Sequence, residues 1–140
     1  MSRRYILDTN ALSDLVNGRK GIDHRVKNAR RIGATIGTCP PILCELFYGI
    51  ENSRTRDENL RLARIGLNGL KIWPLDQTAA EEYGRLAAEL RRRGRAMQIP
   101  DIQLAAVAFA LGNCTVVTSD SDLSAIPGLS VENWTTESNP

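Results

Sequence analysis

Five carboxylates in this 140-residue chain stand where an apolar run ends or a helical pattern begins: Asp8, Glu45, Asp101, Asp120 and Asp122. Acids of this kind, brought together without histidine or cysteine, suit a hard cation held through oxygen, Mg²⁺ or Mn²⁺. Such ions hold phosphate groups, activate water and stabilise the leaving oxygen of an in-line displacement. Grouped carboxylates also repel one another, and a bound cation would offset that repulsion. Thr9, Asn10, Thr118 and Ser119 flank the acids and could add hydroxyl or amide contacts. Zinc is not indicated: the one histidine, His24, lies in a basic stretch, and Cys39, Cys44 and Cys114 form no paired motif.

The elements that must position these residues alternate between strand and helix along the chain. Residues 5–8 read as a strand ending on Asp8. Thr9 or Asn10 can cap a helix carrying Ala11, Leu12, Leu15 and Val16, which Asn17-Gly18 closes. A basic helix spans 22–31, with Ile22, Val26 and Ala29 as its apolar stripe, and 35–39 is a second strand. Pro40-Pro41 opens a helix bearing Ile42, Leu43, Leu46, Phe47 and Ile50, because proline's fixed φ is tolerated in a first turn. A helix over 56–70 and a strand over 71–75 follow. Thr78 and Glu81 make a capping box for a helix reaching Arg93, with Gly94 placed as its stop. Pro100-Asp101 opens an apolar helix over 102–111, residues 115–118 are a strand, 122–126 a helical turn, and 129–131 the start of a last strand. The pattern predicts one α/β domain, a mostly parallel sheet of about five strands between layers of helices, over residues 1–134. Residues 135–140 read as a polar tail.

In right-handed βαβ units, helix N-termini and strand C-termini share one sheet edge, the edge where ligands bind in open parallel sheets. Asp8, Glu45, Asp101 and Asp120 all fall on it. At about 100° per residue, the apolar positions of the Pro41 helix fill an arc of roughly 140°, and Glu45 lies about 60° outside it. That flank can turn toward the sheet edge. Each acid also has a purely structural reading. Asp101 is a good helix N-cap, Asp122 could cap the turn before Leu123, and Glu45 could be a first-turn acid favoured by the helix dipole.

Composition bounds the class. A hydrophobic fraction of 42% with 24% charged residues is that of a globular domain, and a net charge of +2 is too small to argue for a nucleic-acid partner by itself. The basic residues are fifteen arginines against three lysines, and arginine's planar fork suits phosphate. Three scattered cysteines read as small buried residues in a reducing compartment. Tyr5-Ile6-Leu7 is too short for a signal peptide or membrane span, so the expectation is a cytoplasmic protein.

The ordered set YILDTN, PPILCELFYGI, IPDIQLAAVAFALG and VVTSDSDLSAIPGL resembles the PIN domain, and more narrowly the VapC-type toxin ribonucleases, over residues 5–134. The resemblance implies a three-layer PIN-like fold and an Mg²⁺- or Mn²⁺-dependent endoribonuclease leaving 5′-phosphate and 3′-hydroxyl ends. It also implies a homodimer, a cognate antitoxin and a larger toxin–antitoxin assembly. Carried over by position, Asp8, Glu45, Asp101 and Asp120 would be catalytic and hold metal, with Asp122 a further ligand and Thr9 or Thr118 orienting a carboxylate or water. Two features depart from the pattern. Leu123 stands where the family often has an aromatic, and the doublet Asp120 and Asp122 leaves the fourth ligand open between them.

Three further readings follow. Arg91, Arg92, Arg93 and Arg95 could guide RNA backbone toward the acids, or simply complement a helix end. Leu12, Leu15, Val16, Phe47 and Ile50 could line a groove for an amphipathic antitoxin segment, or belong to the core. Trp73 and Trp134 read as core or interface. Among rival functions, a haloacid-dehalogenase-like phosphatase would want an aspartate where Asn10 stands, and no GxGxxG follows the first strand. The alternative of another class is a PIN-like module that binds RNA or protein without cutting.

Overall fold

Tyr5, Ile6 and Leu7 are all buried, so both faces of the first strand need covering, as in sheets with helices on either side. In the computed structural model, which describes residues 3–135, this strand is central. Strands β1 (Arg4–Leu7), β2 (Thr35–Thr38), β3 (Lys71–Ile72), β4 (Cys114–Val117) and β5 (Ser130–Glu132) form one sheet in the order β3-β2-β1-β4-β5. Every pairing is parallel, with Ile6 opposite Gly37 on one side and Leu7 opposite Val117 on the other. Helices α1 (Thr9–Val16) and α2 (Ile22–Arg31) connect β1 to β2, and α3 (Pro40–Glu51) and α4 (Arg56–Leu67) connect β2 to β3. The chain then crosses back through α5 (Gln77–Arg92) and α6 (Ile99–Leu111) to β4, and the short α7 (Ser121–Ser124) leads to β5. The strand order reverses between β1 and β4, and right-handed crossovers put the helices of the two runs on opposite faces.

The core runs from Leu12 and Ile22 through Ile36 and Ile42 to Leu104, Val107 and Leu123, all essentially inaccessible. Leu123 thus fills its position in place of an aromatic. Trp134 is buried against Tyr5, ring centroids 4.8 Å apart, and its indole N–H donates to Glu132 at 2.9 Å, so the packed domain reaches at least that residue. Trp73 is buried as well. Residues 136–140, most of the expected tail, lie outside the described residues.

Two glycines are required by close approach. A Cβ on Gly37 would lie 2.5 Å from the Lys71 carbonyl and 2.7 Å from the Trp73 ring. One on Gly66 would lie 2.6 Å from Val16 Cγ1 and 3.0 Å from its Cα, so α4 rests directly on α1 there.

Several local expectations are corrected. Asp8, not Thr9 or Asn10, is the N-cap of α1, since it is the first residue past β1 and its side chain reaches the Ala11 N–H. Asp76 caps α5 through the Ala79 N–H, displacing the Thr78–Glu81 box, because the helix begins one residue before Thr78. The strand over 71–75 shrinks to Lys71–Ile72: Trp73 N–H still bonds the Thr38 carbonyl, but Pro74 has no N–H to continue the ladder. Helix 56–70 ends at Leu67. Cys39 and Cys114 are buried, their thiols pushed up to about 12, whereas Cys44 is exposed on the outer face of α3. Among the described residues no helix is long and apolar enough to cross a membrane.

Candidate active site

The strand order reverses between β1 and β4, and the C-terminal ends of strands at such a reversal are where doubly wound sheets bind ligands. Asp8 follows β1 and Thr118 follows β4, so the parallel register delivers them side by side. Asp8 is 4% exposed. Its Oδ1 accepts the Ala11 N–H at 2.8 Å and its Oδ2 accepts the Thr118 hydroxyl at 2.5 Å. The same Thr118 oxygen accepts the Asp120 N–H at 2.9 Å, and Asp120 Oδ1 accepts the Asp122 N–H at 2.9 Å. A continuous chain of hydrogen bonds therefore runs from Asp8 through Thr118 to Asp120 and the start of α7.

The other acids come from helices: Asp101 and Asp122 lie in first turns, whereas Glu45 is the sixth residue of α3, past its first turn, so the reading of Glu45 as a first-turn acid falls. Asp101 is the third residue of α6. Gln98 precedes that helix as its cap residue, so the N-cap reading of Asp101 falls. Asp120, not Asp122, caps α7. Glu45 is exposed on α3 and accepts the Thr9 hydroxyl at 2.5 Å, which ties α3 to the first turn of α1. Asp122 is exposed as well and faces Arg95, Nη2 to Oδ1 3.5 Å.

Electrostatics ties these groups together. Asp101 is pushed up to about 6, first by burial and then by the charges of Asp120, Asp8, Glu45 and Asp122. The other four sequence-derived acids thus all act on Asp101, which places the five at a single edge. Asp8 is also raised, chiefly by burial and further by Asp120 and Asp14, against the lowering effect of the Thr118 hydroxyl and the Ala11 N–H. Among the described residues, no three acidic, histidine or cysteine side chains are already disposed as a finished metal site. The donor set nonetheless fits a hard divalent ion. It is all oxygen, and its mutual repulsion is the kind a cation relieves.

Other predicted residues separate. Asn10 is exposed and lies beside Thr9 and Glu45 along a cleft. Of the basic run, Arg91 and Arg92 are exposed at the end of α5 and Arg93 pairs with Glu89 at 3.1 Å. Arg95 alone makes an ion pair with one of the acids, because Gly94 ends the helix and turns the chain toward α7. His24 is exposed on α2. The apolar groove set divides too. Leu12 is fully buried and belongs to the core, Leu15 and Phe47 pack against it, and Val16 and Ile50 line the cleft between α1, α3 and α4. Asp14, not anticipated from sequence, is buried on α1 with Lys20 3.9 Å away, and its charge reaches Asp8. Its signal was an acid bordering the apolar stripe of α1.

The fold and site define an α/β domain with an all-parallel sheet whose carboxylates gather at the strand-order reversal, from two strand ends and two helices. The PIN domain family model matches residues 5–129. Ribonuclease VapC2 of Rickettsia felis is 32% identical over 133 residues, covering 93% of this chain and 97% of that protein. The tRNA(fMet)-specific endonuclease VapC of Salmonella typhimurium is 29% identical over 133 residues, 94% of this chain and 98% of its own length. The crystal structure of VapBC2 from Rickettsia felis bound to a DNA fragment from their promoter superposes with a TM-score of 0.87 at 29% identity, covering 94% of this chain and 98% of the matched chain. The chain belongs to the PIN-domain family, in its VapC ribonuclease branch.

Proposed function

We propose that this protein is a divalent-metal-dependent endoribonuclease toxin, hydrolysing RNA phosphodiester bonds and neutralised by a cognate antitoxin. The observation that carries the reading is Asp101, whose carboxyl is raised by burial and by four other carboxylates at the switch point of the sheet. RNA is supported as the substrate by the relatives' names, and the Salmonella relative makes tRNA(fMet) the first RNA to try. The antitoxin is supported by the Rickettsia complex.

Asp8, Glu45, Asp101 and Asp120 would hold Mg²⁺ or Mn²⁺, with Asp122 a further contact. When bound, the ion would activate the attacking water and offset charge on the phosphate oxygens. The chain's own residues prepare that site. Thr118 fixes the orientation of Asp8 and, through the Asp120 N–H, the start of α7. Thr9 holds Glu45 against α1. Asp120 is favoured over Asp122 as the fourth acid because it joins the Thr118 chain, whereas Asp122 faces Arg95. Arg95 is the member of the basic run that can meet a phosphate at the centre.

The same reading includes a homodimer. The outer face of α3 bears an apolar groove of about 480 Å³ walled by Pro40, Pro41, Cys44, Tyr48, Leu75 and Pro100, with Tyr48 73% exposed. An apolar face of this kind suits a second copy of the chain.

The function is tested on protein freed of co-purified antitoxin, incubated with tRNA and Mg²⁺ or Mn²⁺. Cleavage is expected, with Asp8→Asn and Asp101→Asn each lowering it at least a hundredfold while the circular dichroism stays that of the wild type. RNA bound but never cut under these conditions would establish a non-cleaving binding module instead.

A further inference from the structure

We infer that the polar cleft between α1, α3 and α4 is the track for the single-stranded RNA running away from the scissile phosphodiester, and that Gly49 keeps this track open. The inference rests on the nuclease reading above and names the path its substrate takes.

The cleft, about 310 Å³, adjoins the acidic centre through Glu45 and its hydrogen-bond partner Thr9, both of which line it. Asn10, Ser13 and Asn17 line it from α1 at positions i, i+3 and i+7, one face of a helix about 10 Å long between first and last. Asn59 faces them from α4, and Arg19 stands beyond the end of α1. Asn17 Nδ2 donates to the Ser13 carbonyl at 2.9 Å and Asn59 Nδ2 to Ser53 Oγ at 3.0 Å, which leaves the amide oxygens of both, with Asn10, Ser13 and Arg19, to face a ligand. Beyond Glu45 the wall carries no carboxylate. Amide and hydroxyl groups donate to phosphate oxygens and both donate to and accept from a ribose 2′-hydroxyl. Arg19 is exposed and makes no ion pair among the described residues, so its fork is available to a phosphate. A wall of uncharged polar groups over an apolar floor of Val16, Leu46 and Ile50, ending on a cation, suits a polyanion that must leave a cluster of acids.

Gly49 lies one helical turn after Glu45 on the same wall. Its φ is not in the left-handed region, and a Cβ there would meet nothing within 4 Å. Neither a turn nor a close approach requires glycine, although it disfavours the helix relative to alanine. What glycine does supply at this position is width.

The test uses the full chain free of antitoxin. Gly49→Phe is compared with Gly84→Phe, a matched change at a helical glycine of α5 that is also open within 4 Å and lies away from the cleft. Gly49→Phe is expected to raise KM for RNA cleavage at least tenfold while Mn²⁺ affinity, measured by calorimetry without RNA, stays within twofold. Gly84→Phe should leave both within twofold. Arg19→Ala should reduce the slope of log Kd against log salt by about 0.7 for a single-stranded RNA oligonucleotide bound in EDTA. This second measurement decides the matter if Gly49→Phe does not fold.

A folded Gly49→Phe with wild-type KM, or an Arg19→Ala slope equal to that of the wild type, overturns the track. So does loss of antitoxin affinity in Gly49→Phe with RNA KM unchanged, which would give the cleft to a protein segment. Failure of the wild type to cleave any RNA would instead overturn the nuclease reading, and the oligonucleotide Kd would still report on the cleft.

Discussion

Asp8 caps α1 and anchors Thr118, yet each carboxylate oxygen has a second lone pair left for a ligand. The same holds for Asp120, which caps α7 through one oxygen. In the proposed metal site, structural and chemical roles would be held by the same atoms: the cap fixes the carboxylate's direction, and that direction is what a metal ligand needs. Asp101 has the most measurable property. Its folded pKa of about 6 lies above the ordinary 3.8. Between these values only the folded state keeps the proton, so metal-free stability should fall as pH rises through that window and level off above it. Thermal melts in EDTA from pH 4 to 7 should show this decline. Asp101→Asn, which cannot ionise, should flatten it, and an equal slope in the variant would show that Asp101 is not responsible.

At the scale of elements, the spacing between α1 and α4 depends on what is missing at Gly66. A methyl there meets Val16 backbone as well as side chain, so the helices must separate. Overpacking of this kind costs about 1–3 kcal/mol, more than the roughly 1 kcal/mol that alanine gains in helix propensity. Gly66→Ala should therefore lower the urea midpoint, whereas Gly84→Ala, open to solvent in α5, should raise it. Helix α3 was legible in the sequence because Pro40-Pro41 and the apolar stripe agree on its start and inner face. The capping of α1 and α5 was not, because Asp8, Thr9, Asn10, Asp76 and Thr78 all have cap-forming side chains. Which one caps is decided by where the preceding backbone turns.

For the molecule as a whole, the exposed Tyr48 face of α3 adjoins Glu45, so dimerisation and catalysis would share an edge. Tyr48→Asp should convert a wild-type dimer to monomer in sedimentation equilibrium, with the far-ultraviolet spectrum unchanged. A wild type that is monomeric at micromolar concentration would remove the homodimer from the reading.

By itself the sequence determined the alternation of strands and helices, the parallel sheet, and the identity of the acids at its edge. These are local matters of periodicity, capping chemistry and the one-way handedness of βαβ crossovers, and each is written within a few residues. Tertiary structure alone decided that Thr118 joins Asp8 to Asp120 and that Thr9 reaches Glu45. It also parted Arg95 from its arginine neighbours, consigned Leu12 to the core, and left Gly49 facing open space. Those facts depend on strand order and on helix contacts between residues far apart in the chain. No local pattern encodes such distances, because they arise only when the elements are packed.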